Sequence, residues 1–300
     1  MASEARRPGG SAPAGAALVQ ERAAETRRRF LTLDNRYLPP LLITSILLGA
    51  HLSYGILEAW YTTALAIGTA IGAELLMGRV TYNKWPHPAS AYISGISAGI
   101  LVRSPLLWPY FLVSLVSITS KYVLRVKGRH IWNPTNFGVS AAAFLAPATV
   151  TVLSIQWGNV LAPMIIIWLL GSVIVWRVGR AHISATYVAS FLVFSWVTSL
   201  ITGNSWSATV APITGPMYQL FIFFMVTDPK TTVRSKFWQC VVVFFVALVE
   251  MILRLNQILY APFYALFIVG PIAMLIDIWR AGVGSQESGF RVGPGREVES

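Results

Sequence analysis

Charged residues are scarce in this chain of 300 residues. Only 12% are Asp, Glu, Lys or Arg, while 55% are hydrophobic and the mean hydropathy is +0.61. A soluble domain carries about 25% charged residues, so this composition excludes an ordinary soluble enzyme and a disordered chain. Cysteine is nearly absent. The single Cys240 excludes a disulfide framework, a CxxC redox pair and a Cys-ligated iron–sulfur cluster. The four histidines (His51, His87, His130 and His182) lie far apart and form no ligand-spaced cluster, so no metal site is expected. Walker, GxGxxG, GxSxG and HExxH motifs are missing too. What the chain has in abundance is long apolar runs, the pattern of an all-α polytopic membrane protein.

A spanning helix needs about 20 mostly apolar residues. Ten segments qualify: Leu38–Ile56, Trp60–Leu76, Ser90–Val102, Leu106–Leu124, Asn136–Ile155, Val160–Val178, Ile183–Thr202, Val210–Thr227, Phe237–Leu253 and Ile258–Ile278. The third is short, and Pro109 sits near the start of the fourth. The expected organisation is a disordered basic tail over residues 1–34, a ten-helix membrane domain over 35–280, and a C-terminal tail over 281–300. Residues 1–30 lack the apolar stretch and cleavage site of a signal peptide.

The formal net charge of +11 suggests nucleic acid in a polar protein, but here position decides its meaning. With the N-terminus cytoplasmic and ten spans, every Lys and Arg except Arg103 and Arg254 falls in a cytoplasmic segment. The positive-inside rule is met, and a miscount of one helix would scramble it. The charge is therefore an orientation signal and no nucleic-acid partner is expected. Trp60, Trp85, Trp108, Trp132, Trp157, Trp206, Trp238 and Trp279 all lie near predicted helix ends, as interfacial anchors do. Ten helices split into two halves of five, and an odd number makes the halves inverted. The third helix of each carries breakers: Gly95 and Gly99 in one, Pro212, Gly215 and Pro216 in the other. In transporter-like folds such pairs point to the site; ordinary Gly and Pro usage in membrane helices is the competing reading.

Two polar motifs interrupt the apolar pattern, both on the cytoplasmic side. One is Arg129-His130-Ile131-Trp132-Asn133-Pro134-Thr135-Asn136-Phe137-Gly138, preceded by Lys121, Arg125 and Lys127. The other is Thr227-Asp228-Pro229-Lys230-Thr231-Thr232, followed by Arg234 and Lys236. Asn or Asp before Pro is a helix cap followed by a first helical residue. Free N–H groups at such a start, with cations nearby, can hold a phosphate; caps plus topogenic charge is the plainer alternative. Acidic groups within spans usually have a role. Glu58 and Glu74 are candidates for an ion path, with buried interhelical bonds as the alternative for Glu74. Glu250 and Arg254, spaced i, i+4, are expected to pair near the outer surface.

Taken together, Arg129–Gly138 and Met225–Thr232 resemble the NqrB/RnfD family, membrane subunits of the sodium-pumping NADH:quinone oxidoreductase and of the Rnf complex. The pattern Ala50-His51, Gly55, Glu58-Ala59-Trp60, Glu74-Leu75, Ser120-Lys121-Tyr122 and Asn133–Gly138 is similar to the stand-alone members, such as those of enediyne biosynthesis clusters. The resemblance covers roughly Asp34 to Trp279. It implies ten helices as an inverted repeat, a bacterial inner membrane, both termini cytoplasmic, and flavin-linked electron transfer with Na⁺ or H⁺ coupling. The family's FMN is esterified to a Thr in an S-G-A-T loop between the fifth and sixth helices. Here that connection is Gln156-Trp157-Gly158-Asn159, and the similar Ile183-Ser184-Ala185-Thr186 lies at the start of the seventh helix. This departure argues against covalent FMN and leaves non-covalent riboflavin or FMN as the implied cofactor. The residues expected to bind it are Lys121, Arg129, Asn133, Pro134, Asn136, Thr227, Asp228 and Thr231. Membrane lipid and further redox-complex subunits are the implied partners. A non-catalytic accessory subunit of a membrane redox or photosynthetic complex, and a transporter that lost the redox role, are the alternative functions.

Overall fold

The computed structural model describes residues 38–54, 59–152 and 161–290, and these are mostly helical. The helices are α1 (Leu38–Tyr54), α2 (Trp60–Tyr82), α3 (Ala89–Leu101), α4 (Trp108–Val123), α5 (Pro134–Leu145), α6 (Leu161–Arg177), α7 (Ala181–Thr202), α8 (Trp206–Val210), α9 (Pro216–Leu220), α10 (Lys236–Leu255) and α11 (Ala261–Phe290). A 3₁₀ turn, Ala211–Thr214, and a π-helical turn, Phe221–Met225, complete the stretch around α8 and α9. Four two-residue strands are β1 (Val102–Arg103), β2 (Arg125–Val126), β3 (Arg129–His130) and β4 (Thr151–Val152). The predicted ion-path residue Glu58 lies outside the described residues.

Length separates these helices into classes. At about 1.5 Å per residue, about 20 residues are needed to cross some 30 Å of hydrocarbon. Among the described residues, α2, α7, α10 and the Ala261–Ala281 part of α11 are long and apolar enough to do so. A fifth span results if the bent pair Trp206–Thr214 and Met217–Met225, which turn by 64°, is taken as one. The bend has a local cause. Gly215 precedes Pro216 and sits at φ −77°, ψ 152°, the extended conformation that a following proline imposes. Side chains are sorted as hydrocarbon surroundings reward. Leu48, Phe144, Leu169, Trp176 and Leu200 point outward, while Glu74, Lys121, Gln219 and Glu250 are buried.

Each of the ten predicted apolar segments holds a helix, yet the third and fifth are far shorter than a span. Helix α3 has 13 residues and α5 has 12. The segment Asn136–Ile155 fails as one helix because Leu145 is followed by Ala146 and Pro147, after which the chain extends into β4. There β4 pairs antiparallel with β1, the extended continuation of α3, so that Val102 faces Val152 and Arg103 faces Thr151. The two short helices thus end in one ribbon, which satisfies backbone groups that their early termination leaves free.

Packing runs in a repeated order. Helix α2 packs on α3 and α4, and α4 packs on α5; later, α7 packs on α8 and α10, and α10 packs on α11. Close approach of α3 to α2 depends on small residues four apart. A Cβ on Gly95 would lie 2.6 Å from the Cα of Ile67, and one on Gly99 would lie 2.8 Å from the Cα of Thr63. The two parts of the chain join where α5 meets α11: Asn136 Nδ2 donates to the Phe263 carbonyl at 3.2 Å and Trp132 Nε1 to the Phe267 carbonyl at 2.9 Å.

Candidate functional site

One cavity of about 910 Å³ opens at the basic end of this helix assembly. Its wall is drawn from distant parts of the chain: Glu74 of α2, Ser90 and Ser94 of α3, Lys121 of α4, His130 of β3, Asn133 and Pro134 at the start of α5, Arg177 of α6, Arg180, Phe223 through Met225, and Thr227 through Lys230. Ile93, Ile174, Val175, Phe223 and Phe224 make an apolar side, and Lys121, Arg177, Arg180 and Lys230 make a cationic one.

The start of α5 is built locally. Asn133 is extended at φ −62°, ψ 125°, its side-chain oxygen accepts from the Asn136 N–H at 3.0 Å, and Pro134 follows at the first helical position. Its amide nitrogen is then free to reach across the cavity wall. It donates to Asp228 Oδ2 at 3.1 Å, so the two motifs read from the sequence touch. Asp228 is the hub of the second motif. Oδ2 also accepts from Thr231 Oγ1 at 3.1 Å and Oδ1 from the Lys230 N–H at 3.1 Å, a short Asx-type turn. The Asp228 carbonyl accepts from Thr232 Oγ1, which in turn accepts from Arg180 Nη1 at 3.2 Å. The carboxylate is therefore engaged in holding loops together.

Lys121 is buried and forms an ion pair with Glu74, and its ammonium also donates to Ser90 Oγ at 2.9 Å. One lysine thereby links α4, α2 and α3 at the cavity floor. Both charges are desolvated, so each depends on the other.

His130 enters through a hairpin. Lys127 and Gly128 have φ of 48° and 77°, the two positive values that a two-residue turn between antiparallel strands requires. The turn sets Arg125 opposite His130. His130 Nε2 lies 3.2 Å from Arg125 Nη2, and the residue is buried. Burial, reinforced by the positive charges of Arg125, Lys230 and Lys121, pushes the imidazole pKa down to about 4, so the ring is neutral at pH 7.

Of the residues expected from the sequence, Lys121, Asn133, Pro134, Thr227, Asp228 and Glu74 line the cavity. Arg129, Asn136 and Thr231 do not. Arg129 pairs with Asp277 at 2.6 Å and donates to the Thr232 carbonyl at 2.9 Å, bracing the hairpin against α11. Arg234 shares Asp277 at 3.1 Å. Asn136 anchors α5 to α11, and Thr231 binds Asp228. The wall also takes His130 and Lys230, which belong to the two motifs, and Arg177 and Arg180, whose only signal in the sequence is basic character between apolar runs. The pair expected between Glu250 and Arg254 is replaced by other partners. Glu250 accepts from the buried hydroxyls of Tyr187 and Tyr218, at 2.5 and 2.6 Å, and Arg254 donates to the Thr209 carbonyl at 2.5 Å over the ring of Phe191. A phenol hydroxyl reaches the buried carboxylate without bringing in a second charge, which makes it the better partner there.

No family model and no curated protein matches this chain.

Proposed function

We propose that this chain is an integral-membrane electron-transfer subunit of the NqrB/RnfD type, holding a non-covalent riboflavin or FMN in the cavity at its basic end. The observation that carries this reading is the contact between Asn133 and Asp228: two motifs far apart in sequence, both part of the family resemblance, meet on the wall of one ligand-sized cavity. The lining suits such an occupant. Phe223, Phe224, Ile93, Ile174 and Val175 offer a surface for a flat ring, and Arg177, Arg180 and Lys230 offer cations for a phosphate. When bound, a flavin supplies the one- and two-electron redox chemistry. The chain's own residues bind it, orient it and set the field around it, with Lys121 held in place by Glu74 and Ser90.

On this reading the chain crosses a bacterial inner membrane ten times as two inverted five-helix halves. Both termini and the cavity face the cytoplasm, and partner subunits pass electrons in and out. The recurring packing order of α2, α3, α4 and α5 with α7, α8, α10 and α11 supports the two halves, and the clustering of Lys and Arg supports the orientation. Coupling to Na⁺ or H⁺ belongs to the same reading, with Glu74 as the described acidic group at the cavity.

The experiment is an absorbance spectrum of the full chain purified in mild detergent, followed by titration with FMN and riboflavin. Flavin absorption at about 450 nm, a property of the cofactor itself, or saturable binding of an added flavin is the expected result. A colourless protein that binds neither flavin overturns the proposal.

A further inference from the structure

Helix α6 carries a notch on the face it turns to the cavity. Trp168, Gly171, Ile174, Val175 and Val178 recur at three- and four-residue intervals and share one side of the helix. Ile174, Val175 and Val178 line the cavity, while Gly171, one turn earlier, meets Phe223 of the π-helical turn. A Cβ on Gly171 would lie 2.5 Å from both Cγ and Cδ2 of the Phe223 ring and 2.8 Å from Cε2. Trp168 closes the other side of the notch, its ring edge-on to Phe223 with centroids 5.2 Å apart. Because Cγ is the ring atom nearest the backbone, swinging the ring cannot make room for a methyl group at residue 171. The turn or the helix must move instead.

Phe223 is also tied to the second polar motif. The turn is closed by the Val226 N–H donating to the Phe221 carbonyl at 3.0 Å, and the Phe223 carbonyl accepts from Thr227 Oγ1 at 2.7 Å. The wall formed by Phe224, Met225 and Thr227 through Lys230 is therefore positioned on α6 through the seated Phe223 ring. The α6 wall and this one converge at Gly171, so the fit at that glycine sets how far apart they stand.

We infer that Gly171 is a specificity-determining position: its missing side chain seats Phe223 on α6, sets the separation of the two walls, and so fits the cavity to a flat ring system. This rests on the flavin reading above. Gly171 and Trp168 act on the occupant only through Phe223, as positioning residues.

The test uses the full-length protein in detergent, titrated separately with FMN and riboflavin. Gly171→Ala must open the contact by roughly 1 Å to reach ordinary van der Waals distance. It is expected to weaken both flavins about tenfold, the scale of an over-packed contact. In a Phe223→Ala background, where the opposing ring is gone, the same substitution is expected to change affinity by less than about twofold. Trp168→Leu opens the notch without a clash and is expected to weaken both flavins about threefold; it carries the test if Gly171→Ala does not fold. Phe194→Ala is the control. Its ring packs on Phe244 and does not line the cavity, so it is expected to lower the unfolding midpoint and leave flavin affinity unchanged. The inference is overturned, with the flavin reading standing, if either notch variant binds like the wild type or loses FMN alone. It is equally overturned if Gly171→Ala costs as much without Phe223, or if Phe194→Ala loses as much affinity, since binding then only follows stability. A wild type that binds neither flavin overturns both.

Discussion

Asn133 and Asp228 stand 95 residues apart in sequence and are joined side chain to side chain at 3.1 Å. Each also ends a local structure of its own: Asn133 caps α5, and Asp228 closes the turn through Lys230 and Thr231. The bond therefore ties two independently built loops into one wall. Groups that share a hydrogen bond are energetically coupled, so Asn133→Ala and Asp228→Ala are expected to be non-additive, with a coupling of about 0.5–3 kcal/mol. Thermal unfolding of the two single variants and the double variant in detergent measures it. Strict additivity would contradict the bond.

The Lys121–Glu74 pair calls for a different cycle. Removing one member leaves the other charge buried alone, at about 3–5 kcal/mol, whereas replacing both leaves no charge to solvate. Lys121→Met is expected to unfold at a clearly lower temperature than wild type, and Lys121→Met with Glu74→Gln to regain most of the loss. A double variant as unstable as the single one would mean that the pair is not the source of the effect.

If the cavity holds a flavin as proposed, cations at its rim bear on the phosphate of FMN and not on riboflavin. Arg177→Ala and Lys230→Ala are each expected to weaken FMN binding by about three- to tenfold and to leave riboflavin binding unchanged, since a charge-assisted bond to phosphate is lost. The difference should shrink at high salt. Isothermal titration with both flavins at two ionic strengths checks this, and equal losses for both would show that these residues act on something other than the phosphate.

The neutral state of His130 has a consequence for pH. Its folded pKa of about 4 lies below the ordinary 6.5 of histidine, so folding favours the unprotonated ring. The unfolded chain takes up a proton first as pH falls. His130 thus contributes stability fully above about pH 6.5, and that contribution is lost progressively as pH drops towards about 4. Between pH 7.5 and 5 the unfolding midpoint is expected to fall more for wild type than for His130→Asn. Identical pH profiles would show that the ring titrates alike in both states.

Glu250 joins α10 to α7 and α9 through Tyr187 and Tyr218. Glu250→Leu strands two buried hydroxyls, each worth about 1–3 kcal/mol when unsatisfied, while Glu250→Gln keeps an acceptor and is expected to cost less. Thermal midpoints of the two variants rank them, and a Leu variant as stable as the Gln variant would remove the structural role assigned to this carboxylate.

Much of the fold was legible in the chain. Apolar run length located a helix in each of the ten segments, and Asn133-Pro134 marked the start of α5 within two residues of expectation. The exceptions have local physical causes. Pro147 ended the helix of the fifth segment at Leu145, because proline removes a donor and bars its predecessor from the helical conformation, and Gly215-Pro216 bent the eighth, with Gly215 extended. Half of the site was equally legible, as motif residues. Arg177 and Arg180 were not, since a basic residue that orients a helix and one that lines a cavity look alike in sequence.

Composition and pattern by themselves determined that the chain is helical and apolar, with its cations grouped between apolar runs. Those properties are additive along the chain, so they can be read residue by residue. Which cations face a cavity and which carboxylate is consumed in a turn were decided only by tertiary structure. Each depends on groups tens of residues away meeting at hydrogen-bond range, and no local preference encodes that distance.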